Sequence, residues 1–243
     1  MEEEELQAYK DHLREGLVKY TRRVFRTLPK MTIPCILDIG CGSGVPTMEL
    51  AKLSDGEIVA IDTSQTALDR LAGKIKKAGL APRVRAEKCS MLNIDFTDAS
   101  FDIIWAEGSI AVIGFEKGLK EWRRLLKTGG FLIVHDEIGD LTEKRRQISQ
   151  CGYELINHFV LSEDIWWNEY YSPLDKKLNE IRVKHASNMK TVTVMDNDQR
   201  EIDRFKREPE RYRSVFFVMR KSAQIGEQWN ANARSQNQVE VQS

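Results

Sequence analysis

The sequence lacks any run of about eighteen apolar residues, the length that a helix needs to span a bilayer. It also lacks the basic and then apolar opening of a signal peptide, because Met1 is followed by four glutamates. Neither sign of charge dominates, since 37 basic residues balance 37 acidic ones, and this balance gives no general attraction to nucleic acid or to an anionic membrane. We therefore expect a soluble, cytoplasmic chain, monomeric or homodimeric, that binds a small molecule and neither nucleic acid nor membrane.

Cysteine is scarce and lacks the spacing of a metal site. The four cysteines, at positions 35, 41, 89 and 151, form no C-x-x-C pair and have no nearby histidine at ligand spacing. We expect reduced thiols and no bound metal.

What the sequence does contain is the pattern of an α/β protein. A chain of 243 residues, 41% hydrophobic and 30% charged, can bury the core of one globular domain with added segments. Short apolar runs at residues 35–39, 57–61, 84–88, 101–105 and 131–135 alternate with stretches of helical period, among them 65–78 and 116–126. This alternation predicts right-handed βαβ units and a doubly wound parallel sheet.

The remaining segments are predicted to be additions to this sheet. We expect an N-terminal helical cap at 1–30, built from one long helix or from two broken near Gly16, and the domain itself at 31–221. Within it, an aromatic and helical insertion at about 161–213 is expected to cover the active site, with one long helix from Pro173 to Arg207. Residues 222–243 have few apolar anchors and are predicted to be disordered.

The first strand runs into a loop that has glycine at every second position, Ile36-Leu37-Asp38-Ile39-Gly40-Cys41-Gly42-Ser43-Gly44. Glycine tolerates positive φ angles and lets a flat polar ligand approach the backbone. The following helix points its unpaired amides and the positive end of its dipole at the loop, which favours a bound carboxylate or phosphate.

Two classes of nucleotide-like cofactor fit a glycine loop that is followed, after the second strand, by Asp62. The dinucleotide pattern G-x-G-x-x-G requires a glycine where Val45 stands, and Asp38 would repel a pyrophosphate. An acid at position 38 suits a ligand with a positive amine, such as S-adenosylmethionine.

At these residues the sequence resembles the class I methyltransferases. The glycine-loop segment, Val59-Ala60-Ile61-Asp62, Phe101-Asp102-Ile103-Ile104 and Leu125-Leu126-Lys127-Thr128-Gly129-Gly130-Phe131-Leu132 match in order over about residues 33–137. The resemblance implies a Rossmann-like, mostly parallel seven-stranded sheet with its last strand antiparallel and helices on both faces. It also implies S-adenosylmethionine as cofactor, S-adenosylhomocysteine as product and a small-molecule methyl acceptor.

The resemblance further implies the residues that bind the cofactor. Asp38 would steer the loop and the methionine ammonium, Gly40, Cys41, Gly42 and Gly44 would pass beneath the methionyl and ribose parts, and Asp62 with Thr63 would bind the ribose. Ser90 stands where the family often has an acid for the adenine amino group, and the Met91 amide could serve the adenine ring. Glu107 would line the pocket near the methionine tail. Asp62 could instead only cap the next helix, and Cys41 could be a packed small residue.

Residues around the transferred methyl group are less constrained by the sequence. If the acceptor needs a general base, the nominees are Glu107, His135, Asp136 and His158, although polar residues at strand ends often only form loops. Trp166, Trp167, Tyr170 and Tyr171 share one helical face and could form a substrate-binding wall or a packed core. Tyr9 and Tyr20 on the N-terminal helix would join this cluster as a cover that excludes water.

Three functions are compatible with these patterns. The first is methyl transfer from S-adenosylmethionine to a small molecule by in-line displacement, a transferase of EC 2.1.1 type. The second is a non-catalytic or regulatory protein that binds the same cofactor. The third is a dinucleotide-dependent oxidoreductase, which the spacing of the glycines disfavours.

Overall fold

Strands and helices alternate from residue 35 onward. The structure, a computed structural model, describes residues 2–184 and 189–223. The strands in this part of the chain are β1 (Cys35–Ile39), β2 (Glu57–Asp62), β3 (Val84–Lys88), β4 (Phe101–Glu107), β5 (Leu126–Glu137), β6 (Tyr153–Leu161) and β7 (Ser214–Lys221). The helices are α1 (Glu2–Phe25), α2 (Val45–Leu53), α3 (Gln65–Lys77), α4 (Phe115–Trp122), α5 (Leu141–Gln150), α6 (Glu163–Trp166), α7 (Ser172–Lys184) and α8 (Met189–Arg207). A π-helix (Trp167–Tyr171) joins α6 to α7, and 3₁₀ turns occupy Ile110–Val112, Arg123–Leu125 and Pro209–Tyr212.

All seven strands form one sheet in the order β3-β2-β1-β4-β5-β7-β6. The pairs among β1 to β5 are parallel, and β7 is antiparallel to both β5 and β6. The prediction of a doubly wound, mostly parallel seven-stranded sheet with an antiparallel last strand is therefore confirmed. The strand order reverses at β1, between β2 and β4, and ligands of open α/β sheets bind at the carboxyl ends of the strands beside such a point.

Helices cover both faces of the sheet. On one face, Leu119 and Trp122 of α4 and Ile148 of α5 pack on the sheet. On the other, Val24 of α1, Leu50 of α2 and Leu71 of α3 do so. Because neighbouring side chains on a strand point to opposite faces, the α1 face also receives the side chains of Asp38, Glu107 and His135 at the ends of β1, β4 and β5.

A third apolar cluster joins the N-terminal helix to the connection between β6 and β7. Leu6 and Leu13 of α1 are buried against Tyr170, Leu174 and Phe205 of that connection. The N-terminal helix and the expected insertion thus pack together into one cover over the α1 face of the sheet.

Several predicted boundaries need correction. Of the two alternatives for the N-terminal segment, the structure has the single helix, which continues through the exposed Gly16 and ends at Phe25. The helix expected over 116–126 ends at Trp122 in a 3₁₀ turn, after which β5 begins at Leu126, earlier than expected. The expected helix 173–207 falls partly on residues 185–188, and the expected disordered tail almost wholly on residues 224–243, both outside the described residues.

No helix among residues 2–184 and 189–223 combines the length and the apolar character that crossing a bilayer requires. In the same part of the chain no group of three or more His, Cys, Asp or Glu side chains is arranged to hold a metal ion.

Candidate functional site

The three glycines of the loop after β1 all have positive φ angles, but they serve two purposes. A Cβ on Gly40 would lie 2.4 Å from the Ser109 Cβ, and one on Gly44 would lie 2.2 Å from a methyl carbon of Leu71. Gly42, with a φ of +53°, has nothing within 4 Å of that position. Gly40 and Gly44 therefore allow close internal packing, whereas Gly42 leaves open space where a ligand can approach the backbone.

Asp62 ties this loop to the end of β2. Its Oδ2 accepts a hydrogen bond from the Gly42 N–H at 2.9 Å, and its Oδ1 accepts one from the Ser64 N–H at 2.8 Å. The N-cap of α3 is Ser64, whose Oγ accepts from the Ala67 N–H, so Asp62 is more than the helix cap considered above. Each carboxylate oxygen keeps a second lone pair for a ligand hydroxyl, while Thr63 beside it is exposed.

Asp38 is a buried carboxyl group at the end of β1. Its Oδ2 accepts a hydrogen bond from the Thr47 Oγ1 at 2.6 Å, whereas Oδ1 has no partner in the described part of the chain and lies beside the cavity that Asp38 lines. Burial raises the pKa of Asp38 to about 7, and the negative charge of Asp62 adds to this rise. A cation beside Asp38 would favour its ionised form.

Glu107, at the end of β4, is a second buried carboxyl group on the same face. Its Oε1 accepts hydrogen bonds from the Thr21 Oγ1 of α1 at 2.8 Å and from the Trp105 Nε1 at 2.7 Å. Burial raises the pKa of Glu107 to about 7, against the effect of these two donors, and the charge of Asp38 contributes to the rise. A carboxyl group poised in this way can take up or release a proton near neutral pH.

One cavity of about 520 Å³ joins these groups beneath the cover. It lies within the size range of small-molecule sites. The glycine loop and the ends of β1, β4 and β5 form its floor, and the remaining walls come from α1 and from the connection between β6 and β7. Its polar or aromatic lining residues include Lys10, Arg14, Tyr20, Thr21, Asp38, Ser43, Glu107, His135, Asp136, Glu137, Trp166, Tyr170, Tyr171, Glu201, Tyr212, Ser214 and Phe216.

His135 and Asp136 both line the cavity but occupy different surroundings. The His135 Nε2 lies 2.8 Å from the Ser214 Oγ, and burial lowers the pKa of His135 to about 3, so the ring is neutral at physiological pH. Asp136 is held by the Lys144 Nζ of α5 at 2.6 Å, a contact that ties its carboxylate to the opposite face. The low pKa makes His135 a weaker general base than Glu107, and the contact with Lys144 leaves Asp136 less available to a ligand.

Three of the four predicted wall aromatics line the cavity: Trp166, Tyr170 and Tyr171. Trp167 is not among the lining residues, because its ring stacks on Phe205 of α8, with centroids 5.5 Å apart. Residues 167–171 form a π-helix, whose turn is wider than that of a regular α-helix. Side chains that would share one face of an α-helix are therefore separated here, and Trp167 points away from the other three aromatics.

The nominated residues outside the cavity lining also include Asp62, Thr63, Ser90, Met91 and His158. His158 sits on β6 with its Nε2 2.8 Å from the Arg145 Nη2. Ser90 accepts a hydrogen bond from the Leu92 N–H, and the Met91 methyl carbon comes within 3.4 Å of the place of a Cβ on Gly40. Ser90 and Met91 thus belong to the loop beside Gly40, where the resemblance puts the adenine. Cys41 is buried in the loop and also lines the cavity, and burial raises the pKa of its thiol, which keeps it protonated.

Side chains of α1 that the sequence did not single out hold the cover in place. Buried Asp11 accepts hydrogen bonds from Ser43 Oγ of the glycine loop at 2.7 Å and from Lys74 Nζ of α3 at 2.9 Å. Tyr20, expected in the cover, donates to Glu169 of the π-helix at 2.9 Å and lines the cavity. An isolated Asp on the apolar face of an amphipathic helix is the signal that could have revealed Asp11.

Comparison with known proteins gives one family. Residues 36–130 match the model of a family described as a methyltransferase domain. The 27-O-demethylrifamycin SV methyltransferase of Amycolatopsis mediterranei (strain S699) is 30% identical over 125 residues, which are 51% of this chain and 46% of that protein. The chain spans about half the length of the curated relatives it matches.

Solved structures share the fold over most of the chain. A putative sarcosine dimethylglycine methyltransferase from Galdieria sulphuraria superposes with a TM-score of 0.69 at 19% identity, covering 86% of this chain and 85% of that one. The Haemonchus contortus phosphoethanolamine N-methyltransferase 2, in complex with S-adenosyl-L-methionine, gives a TM-score of 0.65 at 17% identity, covering 83% and 51%. At these identities the likeness shows the fold.

Proposed function

We propose that the chain, whose residues 36–130 match a methyltransferase domain, is a class I methyltransferase that transfers the methyl group of S-adenosylmethionine to a small-molecule acceptor. The observation that carries this proposal is that Gly42, Asp38 and Glu107 line one cavity of about 520 Å³. An open glycine amide face and a buried carboxylate suit an amino-acid tail, and the volume suits an acceptor of small size.

The residues present fit the cofactor. The space above Gly42 would be closed by any side chain, and the free oxygen of Asp38 is an acceptor for an ammonium group. The Asp62 carboxylate, fixed by two backbone amides, would accept the ribose hydroxyls. Ser90 and Met91, in the loop beside Gly40, would contact the adenine.

The proposed reaction requires the protein mainly to position the acceptor against the methyl group of the cofactor. When bound, S-adenosylmethionine supplies an electrophilic methyl group on a sulfonium, a good leaving group for in-line displacement. The protein has to hold the acceptor against that methyl group in a dry pocket, and α1 with Trp166, Tyr170 and Tyr171 forms the water-excluding wall.

Glu107 is our proposed general base for an acceptor that must lose a proton. Thr21 and Trp105 both donate to its Oε1 and so fix the carboxylate plane, while Oε2 has no partner in the described part of the chain. Its pKa of about 7 makes it a stronger base than an exposed glutamate and still largely ionised just above neutral pH.

Calorimetry with purified protein and S-adenosylhomocysteine tests the cofactor assignment. We expect binding by the wild type, a loss of at least about tenfold in affinity for Asp62→Ala, and no change for Asp69→Asn, an exposed aspartate on α3 that pairs with Gln65. No binding by the wild type, or unchanged binding by Asp62→Ala, would contradict the proposal. Cofactor binding without turnover across a broad acceptor panel would favour a regulatory protein.

We also propose that the chain acts in the cytoplasm as a monomer or homodimer, without nucleic acid or membrane partners. All four cysteines are free, as in a reducing compartment. The balanced charge of the sequence supports the absence of a nucleic-acid partner. We likewise propose that the chain consists of an N-terminal cap at 1–30 and a methyltransferase domain at 31–221, with an insertion in that domain at about 161–213.

A further inference from the structure

Three side chains from separate elements meet at one wall of the cavity. They are His135 of β5, Ser214 at the start of β7 and Trp166 at the end of α6. The Ser214 Oγ lies 2.8 Å from the His135 Nε2 and accepts a hydrogen bond from the Trp166 Nε1 at 2.9 Å. All three residues line the cavity.

The direction of these hydrogen bonds follows from the chemistry of the groups. The indole N–H of Trp166 can only donate, so Ser214 Oγ is its acceptor. The Ser214 hydroxyl is buried and makes no other hydrogen bond in the described residues, so its own hydrogen has the His135 Nε2 as its acceptor. If Nε2 carried a proton instead, the serine hydrogen would be left buried without a partner, which is costly.

We propose that Ser214 and Trp166 hold His135 in the neutral form with its proton on Nδ1, so that His135 offers the acceptor molecule a hydrogen-bond donor instead of a base. The buried nitrogen and oxygen atoms without a partner in the described side chains are Gln199 Oε1 and Glu208 Oε2. Within the described residues the His135 ring bonds through Nε2, and His135 lines the cavity, so in this proposal Nδ1 is the nitrogen that faces the cavity.

The surroundings of the ring fix both its plane and its charge. The His135 ring is nearly parallel to the Phe216 ring, with centroids 4.0 Å apart, and to the Trp166 ring at 5.9 Å. Burial lowers its pKa, which keeps the ring neutral. The stacking fixes the plane of the imidazole, and the contact of Nε2 with the Ser214 Oγ fixes which ring atom faces that serine, so Ser214 sets the position of the proton.

The role of His135 toward the acceptor rests on the proposed function, whereas the tautomer does not. A neutral N–H donor recognises an acceptor that carries a carbonyl, carboxylate or ether oxygen close to the atom to be methylated. His135 would be a binding residue for that oxygen, and Ser214 and Trp166 would be positioning residues.

Long-range ¹H–¹⁵N NMR of the full chain reads the tautomer directly. We expect the Nδ1–H form of His135 to exceed the Nε2–H form at least about tenfold, because the alternative leaves a buried hydroxyl unpaired. Dimethyl sulfoxide, a neutral hydrogen-bond acceptor without a donor, is the probe for the cavity. Its addition should shift the His135 Nδ1 proton downfield.

Matched variants separate positioning from mere structure. Ser214→Ala and Trp166→Phe should each bring the second tautomer to a measurable share, the first by removing the hydroxyl and the second by leaving room for a water that accepts the serine hydrogen. Ser214→Thr keeps the hydroxyl and should therefore keep the Nδ1–H form. If Ser214→Ala does not fold, the comparison of Trp166→Phe with Ser214→Thr carries the test. Ser100→Ala, which removes an exposed loop hydroxyl bonded to Thr97, should leave the tautomer as in the wild type.

A predominantly Nε2–H wild-type ring would overturn the proposal. A tautomer ratio unchanged in both Ser214→Ala and Trp166→Phe would do the same, and so would a probe that fails to shift the Nδ1 proton. These readouts require neither cofactor nor turnover. A protein with the expected tautomer that fails to bind S-adenosylhomocysteine would support the assignment of the proton while refuting the methyltransferase proposal.

Discussion

The raised pKa of Asp38 predicts that binding of an amino-acid tail depends on pH. In the ligand-free protein this buried carboxyl group has a pKa of about 7, mainly because of burial. An ammonium group at its free oxygen favours the ionised form, so the proton must leave when the ligand binds. Affinity should therefore be highest above neutral pH and fall as the pH decreases.

The size of this effect follows from the pKa. The ionised fraction of Asp38 is about one half at pH 7 and about one hundredth at pH 5, so affinity should fall about fiftyfold, or about 2.3 kcal/mol. If Glu107, whose pKa is also about 7, must ionise as well, the fall approaches about 2,500-fold. At pH 7 a single titrating carboxyl group would release about half a proton per ligand bound.

Isothermal titration calorimetry measures both quantities. S-adenosylhomocysteine should be titrated between pH 5 and pH 7, and at pH 7 in two buffers of different ionisation enthalpy to count released protons. Asp38→Asn and Glu107→Gln assign the titrating group, since the variant that loses the pH dependence has lost the responsible carboxyl. 5′-Methylthioadenosine, which lacks the amino-acid tail, is the control ligand and should bind with little dependence on pH.

The same pKa has a consequence for stability, of opposite sign to that of a salt-bridged aspartate. Because the folded-state pKa lies above the unfolded value of 3.8, the folded protein binds more protons, and the free energy of unfolding falls as the pH rises from about 4 to about 7. Asp38→Asn keeps an acceptor for Thr47 and should raise the free energy of unfolding of the ligand-free protein above pH 7, by on the order of 1–3 kcal/mol.

The predicted pH dependence of binding would be refuted by either of two results. One is an affinity of the wild type for S-adenosylhomocysteine that does not change with pH, and the other is an equal fall in affinity for 5′-methylthioadenosine.

Three further predictions concern the loop, the cover and the aromatic wall. Gly44→Ala should lower the melting temperature strongly, because its Cβ would collide with Leu71. Gly42→Ala should mainly weaken cofactor binding, by about tenfold or more. Equal losses of thermal stability in the two variants would contradict this division. Asp11→Ala removes the hydrogen bonds that join α1 to the glycine loop and to α3. The release of S-adenosylhomocysteine, measured by stopped flow, should become about tenfold faster. An unchanged release rate would contradict this role of Asp11. Trp167→Leu should lower thermal stability through its contact with α8 and leave the Michaelis constant for the acceptor unchanged, which steady-state kinetics would check.

The sequence determined the sheet and the cofactor half of the site because both depend on local order along the chain. Apolar strands that alternate with helices across short loops pack as right-handed βαβ units with parallel strands, and the carboxyl ends of those strands bring Asp38, Glu107 and His135 to one edge. The glycine loop and the acid after β2 are likewise read from neighbouring residues. Strand ends, helix breaks and the order of β6 and β7 depend less on local pattern, which is why the predicted bounds shifted at β5 and α4.

The tertiary structure alone decided the charge states and the cover. Whether Asp38 and Glu107 hold their protons near neutral pH depends on burial and on donors from distant elements, such as Thr21 on α1 for Glu107. The π-helix removed Trp167 from the wall that helical spacing predicted. Ser214 carries no sequence motif, and the place of Asp11 on an apolar helix face indicates burial but not its partners, because a hydrogen bond between residues far apart in the chain leaves no periodic trace. What a residue can do chemically was visible in its type, and where its proton sits was set by the groups that the fold packs around it.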